Sequence, residues 1–213
     1  MKASVLSLPL LMVCLTATSA WGQILYENGP INGEINAWTV NNGFVVADTF
    51  TISGGNSTVG GLSIGAWLTP GDVLQSAEVS ITEFPISGTV YFDQTVSFTQ
   101  SGCFLNNFGF DVCTETSSFN GPTLNNGTYW VNLQNAVSAD GNPVYWDEND
   151  GIGCHSVGCP SEADNGGLGT LPSEAFTILG TATGTGSTPE PDSLLLFASG
   201  VVSSIMMLRR KVL

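Results

Sequence analysis

The sequence predicts an all-β fold: one antiparallel β-sandwich or jelly-roll-like domain, set between an N-terminal signal helix and a short C-terminal transmembrane helix. Three observations carry that prediction. Between the terminal segments, apolar residues recur with a period of two and show no sustained helical period. Turn-forming clusters cut the same stretch into short runs at Asn41-Asn42-Gly43, Ser53-Gly54-Gly55-Asn56, Thr69-Pro70-Gly71-Asp72, Asn125-Asn126-Gly127 and Asp140-Gly141-Asn142-Pro143. Each end of the chain, by contrast, is an unbroken apolar run with basic residues beside it.

The first element, residues 1–22, opens on Met1-Lys2, runs apolar over residues 3–15 and closes on small residues at Thr18-Ser19-Ala20, which is the layout of a cleavable signal peptide. Cleavage is expected after Ala20 or Gly22, so Cys14 leaves with the signal. The run falls short of the roughly 20 residues an uncleaved anchor needs. A lipid attachment at Cys14 is disfavoured because the bulky Val13 precedes it.

The exported domain follows at residues 23–180. Phe44, Val46, Phe50 and Ile52 form an alternating row in which Asp48 takes a core-facing place. Leu62, Ile64, Ala66 and Leu68 share one strand face; Ala77, Val79 and Ile81 share another, with Glu78, Ser80 and Thr82 turned away. Val90, Phe92, Val96 and Phe98 make a row interrupted by Gln94, and Tyr129, Val131 and Leu133 make a later one. Phe176 and Ile178 close the domain. These rows imply about eight to ten strands. Residues 181–188, rich in Gly and Thr without apolar anchors, read as a flexible linker.

The last element, residues 189–213, begins Pro189-Glu190-Pro191, continues as an apolar run over residues 193–208 and ends on Arg209-Arg210-Lys211. Such a run can cross a thin bilayer with its cations snorkelling to the headgroups. The basic cluster keeps that end cytoplasmic and the preceding domain outside. The order of Pro189, Glu190 and Pro191, a short span, and Arg209, Arg210 and Lys211 resembles the PEP-CTERM sorting domain. The resemblance implies recognition by an exosortase-type membrane protease, transient inner-membrane anchoring, and release to the cell surface or extracellular matrix. The same tail also goes under the label ice-binding protein C-terminal domain, a label that concerns the tail and implies no ice binding. The plain alternative is a single-pass anchor. Leu25 to Pro30, Asp48-Thr49-Phe50, Gly127-Thr128-Tyr129-Trp130 and Val144-Tyr145-Trp146-Asp147 are similar to β-sandwich domains on other PEP-CTERM proteins, with no catalytic motif to transfer.

Charge narrows the function classes. The only basic residues are Lys2, Arg209, Arg210 and Lys211, so residues 21–208 contain no Lys or Arg, while all 18 acidic residues lie within them. A nucleic-acid partner is excluded, because phosphate contacts need cations. Any buried carboxylate must find backbone donors, hydroxyls, water or a bound metal ion instead of a basic partner. The apolar fraction of 42% argues for a packed core in spite of the low charge content.

Several residues are candidates for chemistry. Cys103, Cys113, Cys154 and Cys159 form an even set in an exported domain and read as disulfides, with Cys103–Cys113 and Cys154–Cys159 the favoured pairing and a four-cysteine zinc site the alternative. His155 is the single histidine, which rules out a His-rich metal site and leaves a Ser-His-Asp triad dependent on that residue. Asp147, Asn149 and Asp150 concentrate oxygen ligands before Gly151 and, with Asp48, are weak calcium candidates. An acidic surface turn is the preferred reading of that segment. Asp48 itself is expected to accept backbone hydrogen bonds or to mark a bulge. Trp38, Trp67, Trp130 and Trp146 could supply a platform for stacking on sugar, though burial in a sandwich core is the preferred reading; Trp130, on the face opposite Tyr129, Val131 and Leu133, is the leading candidate, whereas Trp146 has the parity of the core. No catalytic residue and no cofactor are assigned.

The sequence therefore points to an exported, non-enzymatic surface or matrix protein with a structural or adhesive role. Its partners would be the exosortase-type protease, extracellular polysaccharide or other exported proteins. A carbohydrate-binding module and a secreted hydrolase are the alternatives, and a glycosidase would need two carboxylates facing each other across a cleft.

Overall fold

The computed structural model describes residues 22–149, 163–165 and 169–182. Alternation and turn chemistry build fourteen strands there and no helix. In chain order they are β1 (Gln23–Glu27), β2 (Asn36–Thr39), β3 (Val45–Ile52), β4 (Ser57–Leu68), β5 (Leu74–Phe84), β6 (Ser87–Ser97) and β7 (Thr99–Leu105). There follow β8 (Asp111–Ser118), β9 (Thr123–Leu124), β10 (Gly127–Ser138), β11 (Tyr145–Glu148), β12 (Ala163–Asn165), β13 (Gly169–Leu171) and β14 (Phe176–Ala182). The count exceeds the expected eight to ten because β2, β9, β11, β12 and β13 are two to four residues long, too short to show alternation. β14 runs on to Ala182, two residues into the expected linker, because its ladder with β4 continues to Ser57; residues 183–188, the signal segment up to Trp21 and the apolar run 193–208 lie outside the described residues.

All pairings are antiparallel, in two sheets. The first is organised on the long strand β4. One edge of β4 pairs with β14 and then β11, and the other pairs with β9 and then β8. β1, β2 and β7 extend it outward. The second sheet runs β13-β12-β3-β10-β5-β6. Turn residues act where expected: Asn42 and Gly43 take φ of 58° and 87° to reverse the chain into β3, and Gly71 at 85° closes the turn in which Asp72 N donates to Thr69 O.

The core lies between the sheets. Leu62, Ile64, Ala66 and Leu68 of β4 face Val79 and Ile81 of β5, Phe50 and Ile52 of β3, and Val131 and Leu133 of β10, all buried. Trp146 on β11 is fully buried, as its parity indicated, and packs edge-on against Phe176. The row from Val90 to Phe98 holds only in part. Ile81 pairs with Phe92 but Thr82 pairs with Val90, a bulge that places Tyr91 out of register and turns Val90 to the outside at 59% exposure. Phe44, ahead of β3, is exposed as well.

Candidate functional site

The outer face of the first sheet carries a cross-strand row of large side chains. Register places Phe104 of β7 opposite Val112 of β8, Val112 opposite Trp67 of β4, and Trp67 opposite Tyr145 of β11. Directly opposite residues project on the same face, so four strands contribute to one platform. The β7–β8 turn then folds two more rings over it. Phe108 stacks on Trp67 at 5.4 Å between centroids and 25° between planes, and Phe110 meets Tyr145 edge-on at 5.5 Å. Ile35, Ala37, Trp67, Phe108, Phe110 and Tyr145 line a groove of about 250 Å³. Phe108 is 57% exposed and Ile35 41%, so the groove opens to solvent.

Two features hold this platform. The hairpin is stapled by the disulfide between Cys103 and Cys113, whose sulfurs both accept from Gln100 Nε2. The indole of Trp67 is fixed from beneath by Asp147, whose Oδ1 accepts its Nε1–H at 2.6 Å. Asp147 also gathers the β1–β2 loop, accepting from Asn32 N at 2.9 Å and Gly33 N at 3.2 Å. Gly65 leaves room for that loop, since a Cβ there would stand 2.8 Å from both Asp147 Cβ and Ile31 Cγ2. Burial raises the Asp147 pKa above the ordinary carboxylate value, against the opposing pull of the Trp67, Asn32 and Gly33 donors.

The expected acidic surface turn is corrected by this arrangement. Asp147 and Glu148 are residues of β11, and both are buried together with Asn149. Alternation sends Asp147 outward beneath Trp67 and Glu148 inward beside Trp38, whose Nε1 donates to Glu148 Oε2 at 3.0 Å. Asp48 is fully buried, as its row indicated, and accepts backbone hydrogen bonds from Thr49 N at 2.6 Å and Glu174 N at 2.7 Å. The calcium candidates thus separate: Asp48 and Asn149 converge near Glu174, Asp147 is turned away from them, and Asp150 lies outside the described residues.

Trp130 is half-buried on the outer face of the second sheet, between Thr49 and Thr82 in register and apart from the groove. Cys154, Cys159 and His155 lie outside the described residues. Among the described residues, no group of three or more His, Cys, Asp or Glu forms a metal cage as it stands. A wider opening of about 710 Å³ at the other end of β4 is lined by Gly22, Gly60, Gly121, Gly180 and their neighbours, and shows no convergent polar chemistry. Apart from Trp67, the groove residues eluded sequence reading, because they come from three strands, the β7–β8 turn and the loop before β2. The alternation of β4 nevertheless put Trp67 opposite its core row, and that was the available signal.

The described residues, then, form an all-β unit of two packed antiparallel sheets. In the sequence, residues 187–211 match the PEP-CTERM protein-sorting motif, a stretch that includes Pro189, Glu190, Pro191, Arg209, Arg210 and Lys211. The motif implies an exported protein that is sorted by an exosortase and passes through a membrane-anchored stage. No curated protein and no solved structure matches the chain.

Proposed function

We propose that the exported domain is a non-enzymatic adhesive module that binds neutral polysaccharide of the extracellular layer in the groove on its first sheet. The observation that carries this reading is the exposed ring of Phe108, seated on the buried Trp67 that Asp147 anchors and flanked in the groove by Phe110 and Tyr145. The apolar C–H face of a sugar ring packs on such an aromatic plane, and the polar edge of Tyr145 and Asn36 leaves hydroxyls a partner. Charge supports the neutral class: with no Lys or Arg in residues 21–208, an anionic polymer meets only repulsion. Among the described residues the groove's lining includes no pair of carboxylates, which supports binding over glycoside hydrolysis.

The test is binding of the purified full chain to a panel of neutral glucans, mannans and galactans beside alginate as the anionic comparison. The expected result is retention on at least one neutral polymer, none on alginate, and a loss of at least tenfold for Phe108→Ala with the melting temperature unchanged. Equal binding by Phe108→Ala, or preference for alginate, contradicts the reading. Exposed Phe104 and Leu105 beside the groove favour a second reading, docking of another exported protein, which cross-linking on intact cells would reveal.

A further inference from the structure

The outer face of the second sheet carries an aromatic ring that the groove does not use. Trp130 projects from β10 on the side opposite the core residues Tyr129, Val131 and Leu133. Register sets Thr49 of β3 and Thr82 of β5 directly opposite it, and Val90 of β6 opposite Thr82. Two residues back along β10, Thr128 lies opposite Thr51, and their hydroxyls are 3.2 Å apart at the surface. Two residues on, Asn132 Nδ2 donates to Ser80 Oγ at 3.0 Å and to Thr82 Oγ1 at 2.9 Å, while its Oδ1 accepts from Ile86 N at 3.0 Å. The ring is therefore framed by hydroxyls and one fixed amide, and none of these cross-strand neighbours is charged.

Trp130 differs from the other described tryptophans. Trp38 donates its indole N–H to Glu148, Trp67 to Asp147, and Trp146 to the main-chain oxygen of Ala175. Among the described residues, none accepts from Trp130 Nε1 and no second ring packs on it. The side chain is half-buried and its nitrogen is not among the enclosed polar atoms, so the sheet orients the ring while its N–H stays open to solvent. An oriented indole with a free donor, set among threonine hydroxyls, suits a sugar ring: the apolar C–H face lies on the indole and the hydroxyls exchange hydrogen bonds with the frame. Such a polar surround is unlike the apolar centre of a protein interface. With no Lys or Arg in residues 21–208, the sugar that fits is again a neutral one.

We propose that Trp130, with the hydroxyls of Thr49, Thr51 and Thr128, is a second stacking site for neutral sugar, so that one domain holds two polysaccharide chains, one on each sheet. The bridging of two chains rests on the groove reading given above, whereas the Trp130 site stands on its own frame. The outer faces of two packed sheets look away from each other, so a short stretch of one polymer does not lie on both. Two weak sites on one rigid body give avidity on a polymer surface and a cross-link between polymers in solution. The adhesive role thereby gains a mechanism that a single groove does not supply.

The experiment is sandwich capture, with the full chain reconstituted at one copy per nanodisc so that two copies do not bridge. A neutral glucan, mannan or galactan is fixed to a surface, the protein is bound and washed, and the same polymer in soluble, fluorescent form is offered. Wild type should capture the labelled polymer. Trp130→Ala and Phe108→Ala should each stay on the surface with affinity reduced about tenfold or more, and each should lose capture by about tenfold or more. Thr128→Glu changes an exposed side chain beside the ring, so it should lose capture with the melting temperature unchanged, even if Trp130→Ala folds poorly. Undiminished capture by Thr128→Glu and Trp130→Ala overturns the proposal and leaves the groove reading standing. Surface binding that falls with Trp130→Ala but not with Phe108→Ala removes the groove and, with it, the bridging. Wild type that binds the surface yet captures nothing overturns the two-chain claim.

Discussion

Replacing Glu115 by glutamine should change how stability depends on pH, and the magnitude follows from the carboxyl's surroundings. Glu115 projects from β8 into the core beside Ile64 of β4, with Gln100 of β7 on its other side. It is fully buried without a hydrogen-bond partner, and burial pushes its pKa from 4.5 up to about 8. A folded-state pKa above the unfolded one means that the native protein holds this proton longer. Its stabilising effect is therefore complete below about pH 4.5, is lost as pH rises toward 8, and levels off beyond. Between pH 4.5 and 7.5 the loss is about 4 kcal/mol, at about 1.36 kcal/mol for each unit. Asp147 and Glu174, also raised, slope the same way, so the difference between wild type and Glu115→Gln isolates this one group. Urea unfolding of both proteins, followed by tryptophan fluorescence at intervals from pH 4 to 8.5, reads that difference. The variant should gain on wild type steadily from pH 5 to 8 and by several kcal/mol in total. A constant difference across that range would refute the reasoning, because it would mean that Glu115 ionises as an exposed carboxylate does.

Further outcomes follow from the same geometry. Reduction of Cys103–Cys113, which span ten residues in sequence, should remove about 3 kcal/mol of stability by freeing the hairpin loop in the unfolded chain; a melting transition unmoved by complete reduction would count against this. Asp147→Asn should cost about 1–3 kcal/mol, since its new amide donor would face the donor N–H groups of the β1–β2 loop. It should also red-shift tryptophan emission as Trp67 loosens, and an unchanged spectrum would detach Asp147 from the groove. Gly61→Ala should destabilise by about 1–3 kcal/mol, because its Cβ would stand 2.6 Å from the main-chain oxygen of Ser117 across the β4–β8 ladder; thermal unfolding measures it, and a neutral result would mean that the ladder yields.

Much of the framework could be read from residue order. The rows of β4, β5 and β10 are long and regularly alternating, so their buried faces matched the structure, and the burial of Asp48 followed from the parity of Val46, Phe50 and Ile52. Where a bulge shifts parity, as beside Tyr91, a period of two carries no warning, and Val90 was placed inside. The segment from Asp147 to Asn149 looked like a surface turn because its acids suggested solvent. Its parity pointed the other way, for Val144, Trp146 and Glu148 continue one inner row, as do Glu174, Phe176 and Ile178. Nothing local marks the approach of Glu174 to Asp48, or of Phe108 to Trp67, since each meeting depends on which strands pair.

Sorting through the tail is the claim on which the account rests, and intact mass spectrometry of the protein from its native host tests it most directly. Membrane and extracellular fractions should be compared. The account predicts an extracellular species that begins near Trp21 or Gln23 and ends near Pro189 to Pro191, within or beside the motif at residues 187–211. A protein found only in the membrane fraction, with residues 193–213 still attached, would contradict it.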